Sequence, residues 1–235
     1  MTASLRKPYK GLPMEGPIAA WYARNTRHDT GRFQSVAHAV AERVPEGAAV
    51  LEVAPGPGYL AVAIAKSGCR VAALDISRSF VRMTLENAAR AGVTVDARHG
   101  SASAMPFPDN AFDFVVSMAA FKNFADPVGA INEIHRVLAP GGAASIYDLR
   151  KDATLSEIDA EVRQMGLSKG SAMLTRWIFR CWLLKRAYTR QDLERMVAAS
   201  RFGHCRIEAK GIGFELRLGK APDGVLSSPS AGAIE

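Results

Sequence analysis

Cysteine is scarce in this chain: Cys69, Cys181 and Cys205 are the only three among 235 residues, and no C-x-x-C or Cys/His ligand spacing links them. Such a set builds neither a disulfide framework nor a thiolate metal centre, so we expect no metal and reduced thiols in a cytoplasmic protein. Long apolar runs are missing as well. No stretch reaches the ~18 uninterrupted apolar residues of a membrane span. The N-terminus, Met1-Thr-Ala-Ser-Leu-Arg-Lys-Pro, has basic residues without an apolar segment behind them, which argues against a secretory leader. Acids are absent between Thr175 and Gln191, where Arg176, Arg180, Lys185, Arg186 and Arg190 stand.

The net charge is +7 and the isoelectric point is near 9.5. That balance is compatible with nucleic acid or anionic lipid and requires neither. With 48% hydrophobic residues the chain can bury one substantial core, so one domain with an insertion fits better than two. The stretch Val50-Leu-Glu-Val-Ala-Pro-Gly-Pro-Gly58 is the most informative part. An apolar run carrying Glu52 breaks into Gly56 and Gly58, and an Ala/Val/Ile-rich helical stretch follows from Tyr59 to Lys66. A strand turning tightly into a helix brings backbone N–H groups and a helix N-terminus against a ligand. Asp75 closes the next apolar run nineteen residues after Gly56, where an acid accepts hydrogen bonds from both hydroxyls of a ribose. The pair points to a nucleoside-containing small molecule. Gly56-Pro-Gly58-Tyr-Leu-Ala61 also fits the looser G-x-G-x-x-A fingerprint, so an NAD(P)-dependent oxidoreductase stays open. So does a tight turn without a ligand. Glu52 argues against a pyrophosphate, which its carboxylate would repel, and for a cationic ligand end.

Periodicity organises the rest. Residues 1–15 read as an irregular arm, and Gly16 to Val44 as helical, closed by Pro45-Glu-Gly. Alternating units follow: strand Ala49–Ala54, helix Gly58–Ser67, strand Arg70–Asp75, helix Ser77–Ala91 and strand Thr94–Arg98. After the loop Met105-Pro-Phe-Pro-Asp-Asn come strand Phe112–Met118, a helix from Asp126-Pro to Leu138, and strand Ala143–Asp148. This alternation predicts a parallel sheet covered on both faces. Residues 154–200 read as two or three helices, Cys205–Ala209 and Phe214–Leu218 as a closing antiparallel hairpin, and 221–235 as a disordered tail. The division expected is an N-terminal arm and helix over 1–46, a main domain over 47–220 with a helical cap at 152–200, and that tail.

Three downstream segments then stand in a distinctive order: His99-Gly-Ser-Ala-Ser-Ala-Met-Pro-Phe, Phe112-Asp-Phe-Val-Val-Ser, and Glu133-Ile-His-Arg-Val-Leu-Ala-Pro-Gly-Gly. From about Ala48 to Asp148 the chain resembles the class I S-adenosylmethionine-dependent methyltransferases, particularly the small-molecule group with the ubiquinone and menaquinone methylases. The resemblance implies an α/β fold with a doubly wound, seven-stranded, mostly parallel sheet and a helical cap after the fifth strand. It implies S-adenosyl-L-methionine as cofactor and S-adenosyl-L-homocysteine as product. Glu52, Ala54, Pro55, Gly56 and Gly58 would cradle the methionine part, and Asp75 would hold the ribose with Ile76 against the adenine. Ser101, Ala102 and Met105 would line the adenine pocket, and Ser117 to Ala119 would face the sulfonium. Two positions depart from the family pattern: Ala54 replaces a glycine, and Ser101 replaces an aspartate. We expect Ala54, preceding Pro55, to be extended.

The methyl acceptor is a small apolar or anionic metabolite on this reading. Phe121, Lys122 and Asn123, and Tyr147, Asp148 and Arg150, follow the ends of the fourth and fifth strands, where ligands of parallel sheets bind. Asp148, Lys122 and Asn123 are the catalytic candidates. Asp148 is a base or acceptor-orienting group, or else pairs with Arg150 or Lys151 or caps a turn; Lys122 is otherwise solvated. Trp21, Tyr22, Arg24 and His28 close over the acceptor as a lid or pack the first helix, packing being the expectation for Trp21. Phe121, Arg150 and Trp177 complete the acceptor candidates. The basic, aromatic stretch from Arg176 to Arg186 reads as a cap helix with snorkelling cations, as contact with an anionic or lipid-like acceptor at a membrane surface, or as a tRNA/rRNA surface. Base-modifying methylases often carry an Asn/Asp-Pro-Pro-aromatic tetrad or a Pro-Cys nucleophile; neither occurs here, which disfavours nucleic acid.

Overall fold

The computed structural model describes residues 9–10, 14–27, 29–165, 169–179 and 183–222. His28, most of the 221–235 tail, and Arg180, Cys181 and Trp182 of the basic stretch lie outside the described residues.

Seven strands form one sheet: β1 (Ala49–Val53), β2 (Arg70–Asp75), β3 (Val95–His99), β4 (Phe112–Met118), β5 (Leu138–Leu149), β6 (Arg206–Lys210) and β7 (Gly213–Gly219), in the order β3-β2-β1-β4-β5-β7-β6. The first five pair in parallel, while β7 runs antiparallel to both β5 and β6. This is the doubly wound sheet expected from the alternation. Its central strands are apolar because helices cover both faces. On one side α2 (Thr30–Ala41), α3 (Tyr59–Lys66) and α4 (Arg78–Arg90) bury Val40, Leu60, Ile64 and Ala88 against Val50, Val71, Phe114 and Val116. On the other, α5 (Pro127–Val137) and α9 (Arg190–Ala198) bury Ile131, Ile134, Leu193 and Val197 against Leu51, Val115, Ile146 and Leu216. The strand order reverses between β1 and β4, the switch point beyond whose strands' C-terminal ends parallel sheets bind their ligands.

The remaining helices are α1 (Gly16–Thr26), then α6 (Leu155–Gln164), α7 (Lys169–Ile178) and the single turn α8 (Leu184–Arg186) between β5 and α9. The α6–α8 insertion has its own small core of Ile158, Val162, Phe179 and Leu184, seated on Ile212 of the β6–β7 turn. Two expectations need correction. Residues 16–44 form two helices, because Asn25, Thr26, Asp29, Thr30 and Gly31 are poor helix formers, and the side chains of Asn25 and Thr26 bond back to Trp21 O and Tyr22 O. The fifth strand starts at Leu138, not Ala143, because Pro140-Gly-Gly is absorbed as a bulge: Phe112 pairs with Leu138, and Phe114 with Ala143.

Candidate active site

The loop between β1 and α3 is built from three left-handed residues, Ala54 (φ 59°), Gly56 (φ 56°) and Gly58 (φ 80°). A side chain at Gly58 would meet Thr84 of α4 at 2.6 Å, so only glycine fits. Thr84 Oγ1 donates to Gly56 O (3.1 Å), and Asn87 Nδ2 donates to Pro57 O (2.7 Å), so α4 clamps the loop from behind. Ala54 is not extended, as its place before proline suggested. Its N–H donates to Leu74 O of β2 (2.8 Å), and the turn demands positive φ of it.

Two buried carboxylates flank this loop. Glu52 is 2% exposed; the Ala61 backbone in the first turn of α3 favours its charged form, and among the described residues Oε2 has no partner. Burial pushes its pKa up to about 8, with the negative charge of Asp75 adding to the shift. Asp75, 5% exposed, accepts from Ser77 N at Oδ1 (2.8 Å) and from Gly56 N at Oδ2 (3.1 Å). Burial outweighs those two bonds and lifts its pKa to about 6. Backbone N–H donors alone thus leave both acids under-compensated. A cationic, hydroxyl-bearing ligand supplies what they lack, and a phosphate does not.

Ser101 and Ala102 lie half-buried in a turn closed by a Ser101–Ala104 bridge, and Ser101 Oγ accepts from Ser103 N. Met105 packs into the core. The stretch that holds them is fixed by Arg136 of α5, which donates to Met105 O and Phe107 O and pairs with Glu133 and Asp109. Thus Glu133-Ile-His-Arg is a clamp on the β3–β4 connection. Half-buried Ile76 takes a contact from His99 Nε2 at its carbonyl (3.0 Å). At the end of β4, Ser117 is buried with its Oγ unpartnered among the described residues, and Ala119 is left-handed (φ 59°), its N–H donating to Tyr147 O.

Lys122 and Asp148 meet in a buried ion pair, Nζ to Oδ1 at 2.8 Å, across the ends of β4 and β5. Asp148 also accepts from Lys122 N and Leu149 N, and Lys122 Nζ donates to Ala119 O. Lys122 is not solvated, and Asp148 pairs with neither Arg150 nor Lys151; through Lys122 N it does hold the turn at 121–123, as the turn-capping alternative had it. Half-buried Asn123 gives its carbonyl to Lys10 N (2.9 Å).

Of the acceptor candidates, Tyr22 reaches the glycine loop: its ring lies 3.7 Å from where a Cβ on Gly56 would stand and meets Phe80 edge-on. Trp21 does not pack; it is 61% exposed, because Ala19 and Tyr22 form the inner face of α1. Arg24 is exposed. Phe121 is fully buried against Phe124 and Tyr188. Arg150 turns to the insertion, pairs with Glu157 and Asp152, and lines a surface depression with Arg190 and Phe214. Trp177 points outward from α7. Sequence reasoning missed Tyr9, Glu15, Ser77, Thr84 and Asn87. Only Ser77 had a local signal, as the N-cap of α4, and it is one: Ser77 Oγ accepts from Phe80 N.

Comparison with known proteins agrees with this geometry. Residues 51–146 match the family model of a methyltransferase domain. A demethylmenaquinone methyltransferase of Thermus thermophilus is 37% identical over 101 residues, 42% of this chain and 46% of that protein. A ubiquinone biosynthesis O-methyltransferase of Ruegeria pomeroyi is 28% identical over 166 residues, 69% of this chain and 65% of that one. The match to the first of these relatives thus spans about half its length. Among solved structures, a Methanococcus maripaludis protein assigned to the S-adenosyl-L-methionine-dependent methyltransferases superposes with a TM-score of 0.69 at 21% identity, over 96% of this chain and 100% of that one. A SAM-dependent methyltransferase of Aquifex aeolicus gives 0.59 at 17% identity, over 81% and 97%. At such identities these structures speak for the fold. Residues 51–146 thus match a methyltransferase domain, and the fold around them is the one that S-adenosylmethionine-dependent methyltransferases share.

Proposed function

We propose that this protein transfers a methyl group from S-adenosyl-L-methionine to a small, apolar or anionic acceptor. The observation that carries the reading is the pair of under-compensated buried carboxylates, Glu52 and Asp75, on either side of the glycine loop. The free Oε2 of Glu52 fits the ammonium of a methionine moiety, and the Asp75 oxygens retain lone pairs for two ribose hydroxyls. Ala54, Pro55, Gly56 and Gly58 would cradle the methionine part; Ile76, Ser101 and Ala102 would take the adenine; Ser117 and Ala119 would face the sulfur. The cofactor supplies a methyl group already activated on a positively charged sulfur. The protein's task is alignment, which exclusion of water by Tyr22 and the N-terminal arm would assist.

Asp148 has its acceptor sites engaged by Lys122 and Leu149 N, so we assign the Lys122–Asp148 pair to orienting the acceptor rather than removing its proton. Asn123 and Tyr22 would stand beside it. The quinone-pathway names of two relatives make an aromatic, lipid-like acceptor the first class to test, and the basic 176–190 stretch suits an anionic one. Among the described residues no helix is long and apolar enough to cross a membrane. The free thiols Cys69 and Cys205 suit a reducing cytoplasm. Incubation with methyl-labelled cofactor and separate metabolite, lipid and RNA fractions tests the reading. Label in a small organic product supports it; label only in RNA moves the acceptor class.

A further inference from the structure

The described residues ahead of α1, 9–10 and 14–15, are fastened on opposite sides of β1, the strand that ends in the glycine loop. At the β4 side, Tyr9 forms an antiparallel bridge with Phe124, Lys10 N donates to Asn123 O (2.9 Å), and Lys10 Nζ reaches Tyr188 Oη (3.1 Å). At the β2 side, Ser77 Oγ donates to Met14 O (2.5 Å), and Gly16 N donates to Ser79 Oγ (3.0 Å). There Glu15 accepts from Arg78 N (2.8 Å), Ser79 N (3.1 Å) and Ser79 Oγ (2.5 Å), taking the orphan N–H groups of the first turn of α4. This carboxylate is exposed, yet three donors converge on it. The same turn continues to the cofactor seat: Ser77, which receives the arm through its hydroxyl, gives its N–H to Asp75, and Asp75 holds Gly56. Tyr9 is half-buried; burial raises the pKa of its hydroxyl, and the charges of Tyr22, Asp75 and Asp148 add to the rise.

We propose that Glu15 is a positioning residue, a latch that holds residues 14–16 of the arm on α4 and couples their seating to cofactor binding. The proposal rests on the methyltransferase reading, because Asp75 is the shared element. A ligand on Asp75 fixes Ser77 and hence the landing of Met14 and Glu15; by reciprocity, a fastened arm strengthens ligand binding.

The test uses the full chain with S-adenosylhomocysteine as probe. Its affinity is measured by calorimetry, and release of the arm by the rate of tryptic cleavage after Lys10, followed by mass spectrometry. In the wild type, the probe slows that cleavage. Glu15→Ala lowers probe affinity by about fivefold or more and cleaves faster, with the probe giving little protection. Glu15→Gln, which keeps an acceptor oxygen, recovers part of both effects. Glu15→Ala with wild-type affinity and wild-type protection overturns the proposal, as does an equal loss of affinity in both variants with arm cleavage unchanged. If the wild type binds no S-adenosylhomocysteine, the methyltransferase reading and the coupling fall together; faster cleavage of free Glu15→Ala then still separates the latch itself from that failure.

Discussion

Each carboxylate beside the glycine loop has its own signature in pH and mutation. For Glu52, burial raises the folded pKa to about 8, above its unfolded value, so the folded state holds the proton longer. Stability therefore falls as pH rises from about 4.5 towards 8, and Glu52→Gln removes that fall. The variant should be more stable than wild type by about 4 kcal/mol at pH 8 and little different at pH 4, read from urea midpoints across pH. A pH-independent difference would contradict a buried, unpaired carboxyl. Cofactor affinity should run the other way, rising through pH 6 to 8 as Asp75 and then Glu52 ionise. Asp75→Ala should cost about 1–3 kcal/mol of cofactor affinity, and unchanged calorimetric affinity would remove it from the seat. At Ala54 the residue before proline is left-handed (φ 59°), against its local preference. Ala54→Gly should accordingly stabilise the protein by about 0.5–1 kcal/mol, the relief of strain exceeding the added unfolded-state entropy. Sequence alone made the acids and glycines legible, since their spacing is local. It hid the conformation of Ala54, because the bond from its N–H to Leu74 on the neighbouring strand overrides the local preference.

Elements with strong periodicity were legible, and those ended by tertiary contacts were not. The core strands and α3 to α5 follow apolar period and cap chemistry: Ser77 and Asp126 cap as their sequences suggest. The early start of β5 has no local signal. It depends on Gly142, where a Cβ would meet Ala139 O at 2.8 Å and Asp113 O at 3.0 Å. The arm was equally opaque, since Glu15 finds its three donors 63 and 64 residues away in the chain. The Lys122–Asp148 pair joins the turn after β4 to β5 across 26 residues and is almost fully buried. Removing one partner strands the other charge, so Lys122→Met should destabilise by about 3–5 kcal/mol in urea unfolding. A loss below about 1 kcal/mol would mean that water reaches the pair and that it behaves as a surface bridge.

At the scale of the whole molecule, the reversal of strand order between β1 and β4 gathers residues from distant segments at one edge of the sheet. Glu52, Asp75, Ser117 and Asp148 come from four strands, and Tyr9, Glu15 and Tyr22 come from the arm and α1. The proposed cofactor half is built on the alternating core, where pattern and resemblance point to particular residues. The proposed acceptor half would draw on the arm, α1 and the α6–α8 insertion, where the sequence has no motif and side-chain direction decides. Thus Tyr22 turns inward while its neighbour Trp21 does not. Everything in this account depends on Glu52, the glycine loop and Asp75 seating a methionine-bearing nucleoside rather than a dinucleotide. Parallel calorimetric titrations with S-adenosylhomocysteine and with reduced nicotinamide dinucleotides test that most directly. The account predicts saturable binding of S-adenosylhomocysteine that Asp75→Ala weakens, and no heat from the dinucleotides; dinucleotide binding without S-adenosylhomocysteine binding would contradict it.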